Sequence, residues 1–220
     1  MSGRWDKDIH AVARILEREV KAFAVPVIGV YAETRDPFLV LVSTILSLRT
    51  KDKVTAEASE RLFALATTPQ EMLALPPAKL QRAIYPVCFY RVKTGTIRQI
   101  CRDLIDKHGG KVPDTLEALL ELKGVGRKTA NLVLTLGHGK PGICVDIHVH
   151  RISNRLGYVR TKTPDETEMA LRKKLPLRYW MVYNDWLVPY GQNLCAPVSP
   201  WCSRCKLARY CDRRGVARSR

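Results

Sequence analysis

A chain of 220 residues can bury one large core or two smaller ones, and 46% hydrophobic with 26% charged residues marks a folded protein rather than a disordered one. Its 37 Lys and Arg against 21 Asp and Glu leave a formal charge of +16 and a pI near 9.8. Self-repulsion of that size implies a polyanionic partner, with nucleic acid ahead of an anionic membrane surface. No apolar run approaches the ~20 residues that span a bilayer. The best stretch, residues 38–48, is interrupted by Ser43, Thr44 and Ser47. The opening MSGRWDKDIH lacks the apolar segment of a secretory signal, so the expectation is an intracellular protein without membrane association.

Helical patterns dominate. Ile9, Val12, Ala13, Leu16 and Val20 form one apolar stripe at helical spacing between Asp8 and Phe23. Residues 38–48 read as a central buried helix, although periodicity alone also allows a strand. Thr68-Pro69-Gln70-Glu71 combines a cap, a proline in the first turn and a reciprocal glutamate, so a helix starts there. Asp114 with Glu117 repeats the cap pattern, and Thr163-Pro164-Asp165-Glu166 does so again. Gly109-Gly110 ends a helix reaching back to about Phe89. The run GHGKPG at 137–142 is the clearest break and a natural lobe boundary. With no alternating strand, tandem repeat or low-complexity tract, the reading is all-α in two lobes.

Between the helical runs LLEL and RKTANLVLTL stands only Lys123-Gly124-Val125-Gly126. So short a link forces a tight hairpin, with positive φ open to both glycines and Val125 tucked beneath the turn. Amides at the start of the second helix then face outward, a place that suits a phosphate, and Lys123 and Arg127 add positive charge. The plainer alternative is a helix corner with a glycine cap.

Lys128 falls in the first turn of that second helix, where the helix dipole and Arg127 oppose a cation. A lysine with pKa ~10.4 is neutral about once in 2,500 molecules at pH 7, whereas a pKa of ~8 raises that to roughly one in ten. A depressed Lys128 is therefore a usable nucleophile; undepressed, it is one more solvated lysine. Asp146, ahead of the helical run IHVHRISNRL, is placed to cap it through the amides of His148 or Val149. A carboxylate held this way stays ionised and can stabilise a cationic sugar. His148 and His150 stand two apart on that helix, point to different sides and make a poor metal pair.

Three of the seven cysteines (Cys88, Cys101 and Cys144) are scattered singly, as buried thiols usually are. Cys195, Cys202, Cys205 and Cys211 instead form C-x6-C-x2-C-x5-C, a spacing compatible with tetrahedral zinc or an iron–sulfur cluster. Arg204, Lys206, Arg209, Arg213 and Arg214 surround the loop.

LKGVGRKTANLVL followed by VDIHVHRISNRL resembles the helix–hairpin–helix, Gly/Pro-rich loop and aspartate of the endonuclease III family, and the resemblance runs from about Asp36 to Cys211. IYPVCFYRVK and LVPYGQNLCAPVSPWC look like its eukaryotic branch. The resemblance implies a two-lobed helix–hairpin–helix DNA glycosylase fold. A six-helix lobe would span 30–140 with the hairpin at about 117–137, and a discontinuous lobe would join 1–29 to 141–220. DNA would lie in the cleft between them, where Lys128 and Asp146 meet. The implied activity is base excision repair, as a bifunctional DNA N-glycosylase and AP lyase that removes oxidised pyrimidines of the thymine glycol type. Lys128 is the implied Schiff-base nucleophile and Asp146 its partner. The four cysteines over 195–211 are the implied ligands of a [4Fe–4S] cluster. The partner is double-stranded DNA holding an oxidised pyrimidine or an abasic site, bound by a monomer associated with the nucleoid if the source is prokaryotic.

In the family a wedge residue and a polar residue enter the duplex as the base leaves. Phe89 matches the wedge, with core packing as the plainer role. Arg49, in LSLRTKD, stands where the family more often has glutamine, Cys88 where it has glycine, and Lys123 where it has proline. Asp52 matches the family's LSxxTxD aspartate and reads as a structural cap; His148 is a candidate for touching the flipped base.

Overall fold

A computed structural model describes residues 5–23 and 36–220. The expected lobe boundary at residues 29 and 30 lies outside them. All regular structure among the described residues is helical, and none of their helices is long and apolar enough to cross a membrane. The chain divides into two compact units, one ending at Gly142 and one joining the N-terminal helix to Ile143–Arg220.

The N-terminal helix α1 (Trp5–Glu19) belongs to the second of these and is taken up below. The unit ending at Gly142 is built on α2 (Pro37–Ser47). Asp36 caps α2 by accepting the amides of Phe38 (2.8 Å) and Leu39 (3.2 Å), and Pro37 presets the first turn. Every residue from Phe38 to Leu46 except the half-buried Leu39 is buried, so the apolar run is a central helix and not a strand. Around it stand α3 (Asp52–Phe63), α4 (Pro69–Ala74), α5 (Pro77–Ile84), α6 (Tyr90–His108), α7 (Leu116–Leu120) and α8 (Arg127–Leu132). The π turn Val133–Gly137 continues α8, with the His138 amide donating back five residues to Val133 O at 3.1 Å. α2 packs on α3, α6, α8 and the π turn. Truncating Leu41 or Ile45 at this crossing to alanine costs about 2–5 kcal/mol, because the hole cannot collapse from four sides at once.

Local capping chemistry sets the helix starts. Thr68 Oγ1 accepts the Glu71 amide while Glu71 Oε2 accepts the Thr68 amide, both at 3.2 Å, completing the capping box. Those bonds hold the Glu71 carboxyl below its usual pKa, the Thr67 amide contributing most. Two expected caps differ. Thr115, not Asp114, caps α7 through the Ala118 amide, because Asp114 is drawn to Lys140 Nζ at 2.6 Å. Asp52 is the first residue of α3 rather than its cap; Lys51 holds that position without a side-chain bond. Gly109 ends α6 in the left-handed conformation, as the sequence predicts.

The other unit contains α1, α9 (Ile147–Leu156), α10 (Pro164–Lys174) and α11 (Tyr183–Asn193). α9 packs on α10 and α11, and α1 covers α11. Ile9, Val12 and Leu16 of the N-terminal stripe join Val149, Ile152 and Leu187 in the core. Val20 falls in a single 3-10 turn after α1 and is only half-buried. Thr163 caps α10 through the Glu166 amide at 3.2 Å.

Candidate functional site

The hairpin is laid down by α7 and α8. Val125 is buried beneath the turn and its amide donates to Leu122 O at 3.0 Å. Only one of the two glycines uses positive φ: Gly124 stands at 84° and Gly126 at −93°. Gly126 is the N-cap of α8 and supplies no capping side chain. Lys123 is exposed and Arg127 half-buried beside it. Lys128 is exposed at the second position of α8.

Asp146 caps α9, accepting the amides of His148 at 2.8 Å and Val149 at 2.9 Å. The carboxylate is half-buried and fixed by the fold of its own unit. The two histidines that follow have separate partners. His148 Nδ1 pairs with Arg151 Nη2 at 3.0 Å, and His150 Nδ1 with Thr167 Oγ1 at 2.6 Å.

Arg49 and Phe89 share an unusual feature. Both are non-glycine residues in the left-handed region, at φ 55° and 58°. Each such residue costs about 1–2 kcal/mol that its surroundings must offset. Both are exposed, Phe89 at 57%, which removes core packing as its role. Cys88, expected as a buried thiol, is exposed as well, whereas Cys101 and Cys144 are buried. Behind the two turns lies a residue that sequence reasoning missed. Lys93 is buried, and its Nζ donates to Leu46 O, Leu48 O and Thr50 Oγ1. A signal for it exists: Lys93 falls in register with Ile97, Ile100 and Leu104 on the buried face of α6. A lysine on an apolar stripe must find acceptors.

Cys195, Cys202, Cys205 and Cys211 line one cavity, walled by Leu194, Trp201 and Val216 and closed by Arg155. As the side chains stand, no three His, Cys, Asp or Glu among the described residues are placed to hold a metal ion. The donor set around the cavity is nonetheless all sulfur. Arg155, buried despite its charge, donates to Cys195 Sγ at 3.4 Å, Ala196 O at 2.7 Å and Pro197 O at 2.6 Å. Tyr190 Oη lies 3.1 Å from Cys205 Sγ. Burial pushes the Cys205 thiol up, and the Cys211 thiol up to about 11. Of the surrounding cations, Arg204 stacks on Trp201, Arg209 on Tyr210, and Arg214 pairs with Asp212 at 3.2 Å.

Residues 42–177 match the model of the HhH-GPD superfamily base excision DNA repair proteins. Endonuclease III of Thermotoga maritima is 51% identical over 177 residues, covering 80% of this chain and 83% of that one. Endonuclease III of Haemophilus influenzae is 39% identical over 176 residues, again covering 80% and 83%. Among solved structures, a non-covalent endonuclease III–DNA complex superposes with a TM-score of 0.83 at 32% identity, covering 97% of both chains. The chain therefore belongs to the endonuclease III family, within the HhH-GPD superfamily of base excision DNA repair proteins.

Proposed function

We propose that this member of a DNA glycosylase and AP lyase family excises oxidised pyrimidines, of the thymine glycol type, from double-stranded DNA through a Schiff base on Lys128. The observation that carries the reading is the exposed amine of Lys128 at the second position of α8, directly after the glycine hairpin. In this scheme Lys123, Arg127 and the backbone of Gly124, Val125 and Gly126 hold a phosphate of the damaged strand. Lys128 Nζ bonds to C1′ of the extruded nucleotide as the N-glycosidic bond breaks and the base departs. Ring opening gives the imine. Loss of a C2′ proton then expels the 3′ phosphate and cuts the strand. Asp146, its carboxylate fixed by two amides, stabilises the positive charge that develops on the sugar. Phe89 and Arg49, exposed on their tight turns, enter the duplex at the vacated position, and His148 faces the extruded base.

The cysteine cavity suits a sulfur-ligated, anionic group: four thiols, apolar walls and a guanidinium directed at one sulfur. We assign it a [4Fe–4S] cluster held by Cys195, Cys202, Cys205 and Cys211, whose task is to order this loop. The purified protein is then yellow-brown and contains iron and acid-labile sulfide, whereas a zinc site is colourless.

Borohydride trapping on duplex DNA with an abasic site tests the central step. Wild type becomes covalently linked and Lys128→Ala does not. Equal trapping by both, or by neither, sinks the assignment.

A further inference from the structure

Lys93 is a buried cation whose acceptors are all neutral oxygens. Only 6% of it is exposed, and its Nζ donates to Leu46 O at 2.8 Å, Leu48 O at 2.6 Å and Thr50 Oγ1 at 3.2 Å. These three bonds use all three protons of an ammonium. The carbonyls close the C-terminal end of α2, where unpaired oxygens favour a positive charge. The Thr50 hydroxyl is equally committed. It donates to Leu48 O at 3.3 Å and accepts from Lys93 and from the Cys88 amide, the latter at 3.2 Å. Cys88 immediately precedes Phe89, and Thr50 immediately follows Arg49. One ammonium and one hydroxyl thus join the turn that presents Arg49 to the turn that presents Phe89. Arg61 braces the second turn from α3, donating to Ala83 O at 2.9 Å and Tyr85 O at 2.6 Å. Left-handed residues persist only where their surroundings over-determine them, and this network does so for both turns.

We propose that Lys93 and Thr50 are positioning residues, a clamp that fixes the separation of Arg49 and Phe89 and with it the fit of both turns into a duplex from which a nucleotide has been extruded. The inference rests on the reading above that these two side chains enter DNA. Lys93 itself touches no substrate; it acts through the two turns.

The test uses the full chain and a duplex whose lesion is opposed by 2-aminopurine, which brightens when unstacked. Thr50→Val removes the hydroxyl and keeps the shape, Thr50→Ser restores the hydroxyl, and Lys93→Met removes the ammonium. Thr50→Val and Lys93→Met are expected to lose most of the fluorescence rise and at least about tenfold in kcat, as when a charge-assisted hydrogen bond is lost, with KM little changed. Thr50→Ser recovers both. A Thr50→Val protein with the wild-type rise and rate overturns the clamp. So does a loss that Thr50→Ser fails to restore while the melting temperature falls in step, which marks a merely structural role. Phe89→Ala separates the two levels. If it keeps the rise, these turns do not enter DNA and both readings fall. If it abolishes the rise while Thr50→Val keeps it, the clamp alone falls.

Discussion

Val149 donates its amide to Oδ1 of Asp146 at 2.9 Å, and the same oxygen takes the His148 amide at 2.8 Å. The cap needs an acceptor oxygen but not a charge, and asparagine caps about as well as aspartate. Asp146→Asn is therefore expected to melt like wild type yet to lose on the order of 10²–10³ in single-turnover excision, the size of a lost transition-state electrostatic contact. Asp146→Ala adds a stability loss of about 1 kcal/mol for the missing cap. Excision by Asp146→Asn at the wild-type rate would leave Asp146 with a structural role only.

The hairpin glycines separate a phosphate site from a mere corner. At Gly124 φ is 84° and an added Cβ would stand 2.8 Å from Thr96 Cγ2, so Gly124→Ala is expected to destabilise the unit by at least about 1–2 kcal/mol. At Gly126 φ is −93° and an added Cβ meets nothing within 4 Å, so Gly126→Ala folds normally. Its methyl would fill open space at the start of α8, where the proposed phosphate binds. Gly126→Ala should weaken DNA binding while costing no more stability than the roughly 1 kcal/mol or less of a poorer N-cap. Lys123→Ala should lower the slope of log K against log salt by about 0.9 if it neutralises one phosphate. Unchanged affinity and slope in these two variants would reduce the hairpin to a structural turn.

Much of this was legible because it is local. Thr68 with Glu71, Thr163 with Glu166, Asp146 with Val149 and the glycine that ends α6 each act within a few residues, and each stands where its pattern predicts. The misses have tertiary causes. Asp114 lost its cap to Thr115 because Lys140, 26 residues away, holds its carboxylate. In the sequence Lys93 is one of 37 basic residues. Its acceptors lie 43 to 47 residues earlier in the chain, where no short-range pattern points.

Burial gives Lys93 a pH dependence with a defined sign. Desolvation lowers its pKa from 10.5 to about 8, against a smaller raising effect from the neighbouring Cys88. Between pH 8 and 10.5 the unfolded chain holds the proton that the folded chain has lost, so this group's contribution to stability rises with pH through that window. Below about pH 8 both states are charged and the full cost of burial is present. The amplitude is at most about 3 kcal/mol, reduced to the degree that the three oxygens favour the ammonium. Denaturant midpoints of wild type and Lys93→Met from pH 7 to 10 isolate the effect, since other titrating groups cancel in the difference. The wild type should gain relative to the variant as pH rises. A relative loss would mean that hydrogen bonding outweighs desolvation at this ammonium.

Arg155 offers a test of the cysteine cavity that does not depend on activity. Its planar fork reaches three acceptors at once, Cys195 Sγ and the carbonyls of Ala196 and Pro197, and so holds the start of the loop against α9. Lysine keeps the charge but is a point donor without the fork. Each charge-assisted bond lost in Arg155→Lys costs about 1.5–3 kcal/mol. Such a loss lowers the melting temperature by roughly 2–4 °C per kcal/mol in a chain of this size. If the four cysteines hold a cluster, the loosened loop should also release it, so iron per chain falls and the colour fades on dilution. Retention of full iron content by Arg155→Lys, with only the melting temperature reduced, would separate the fold of this loop from any cluster it binds.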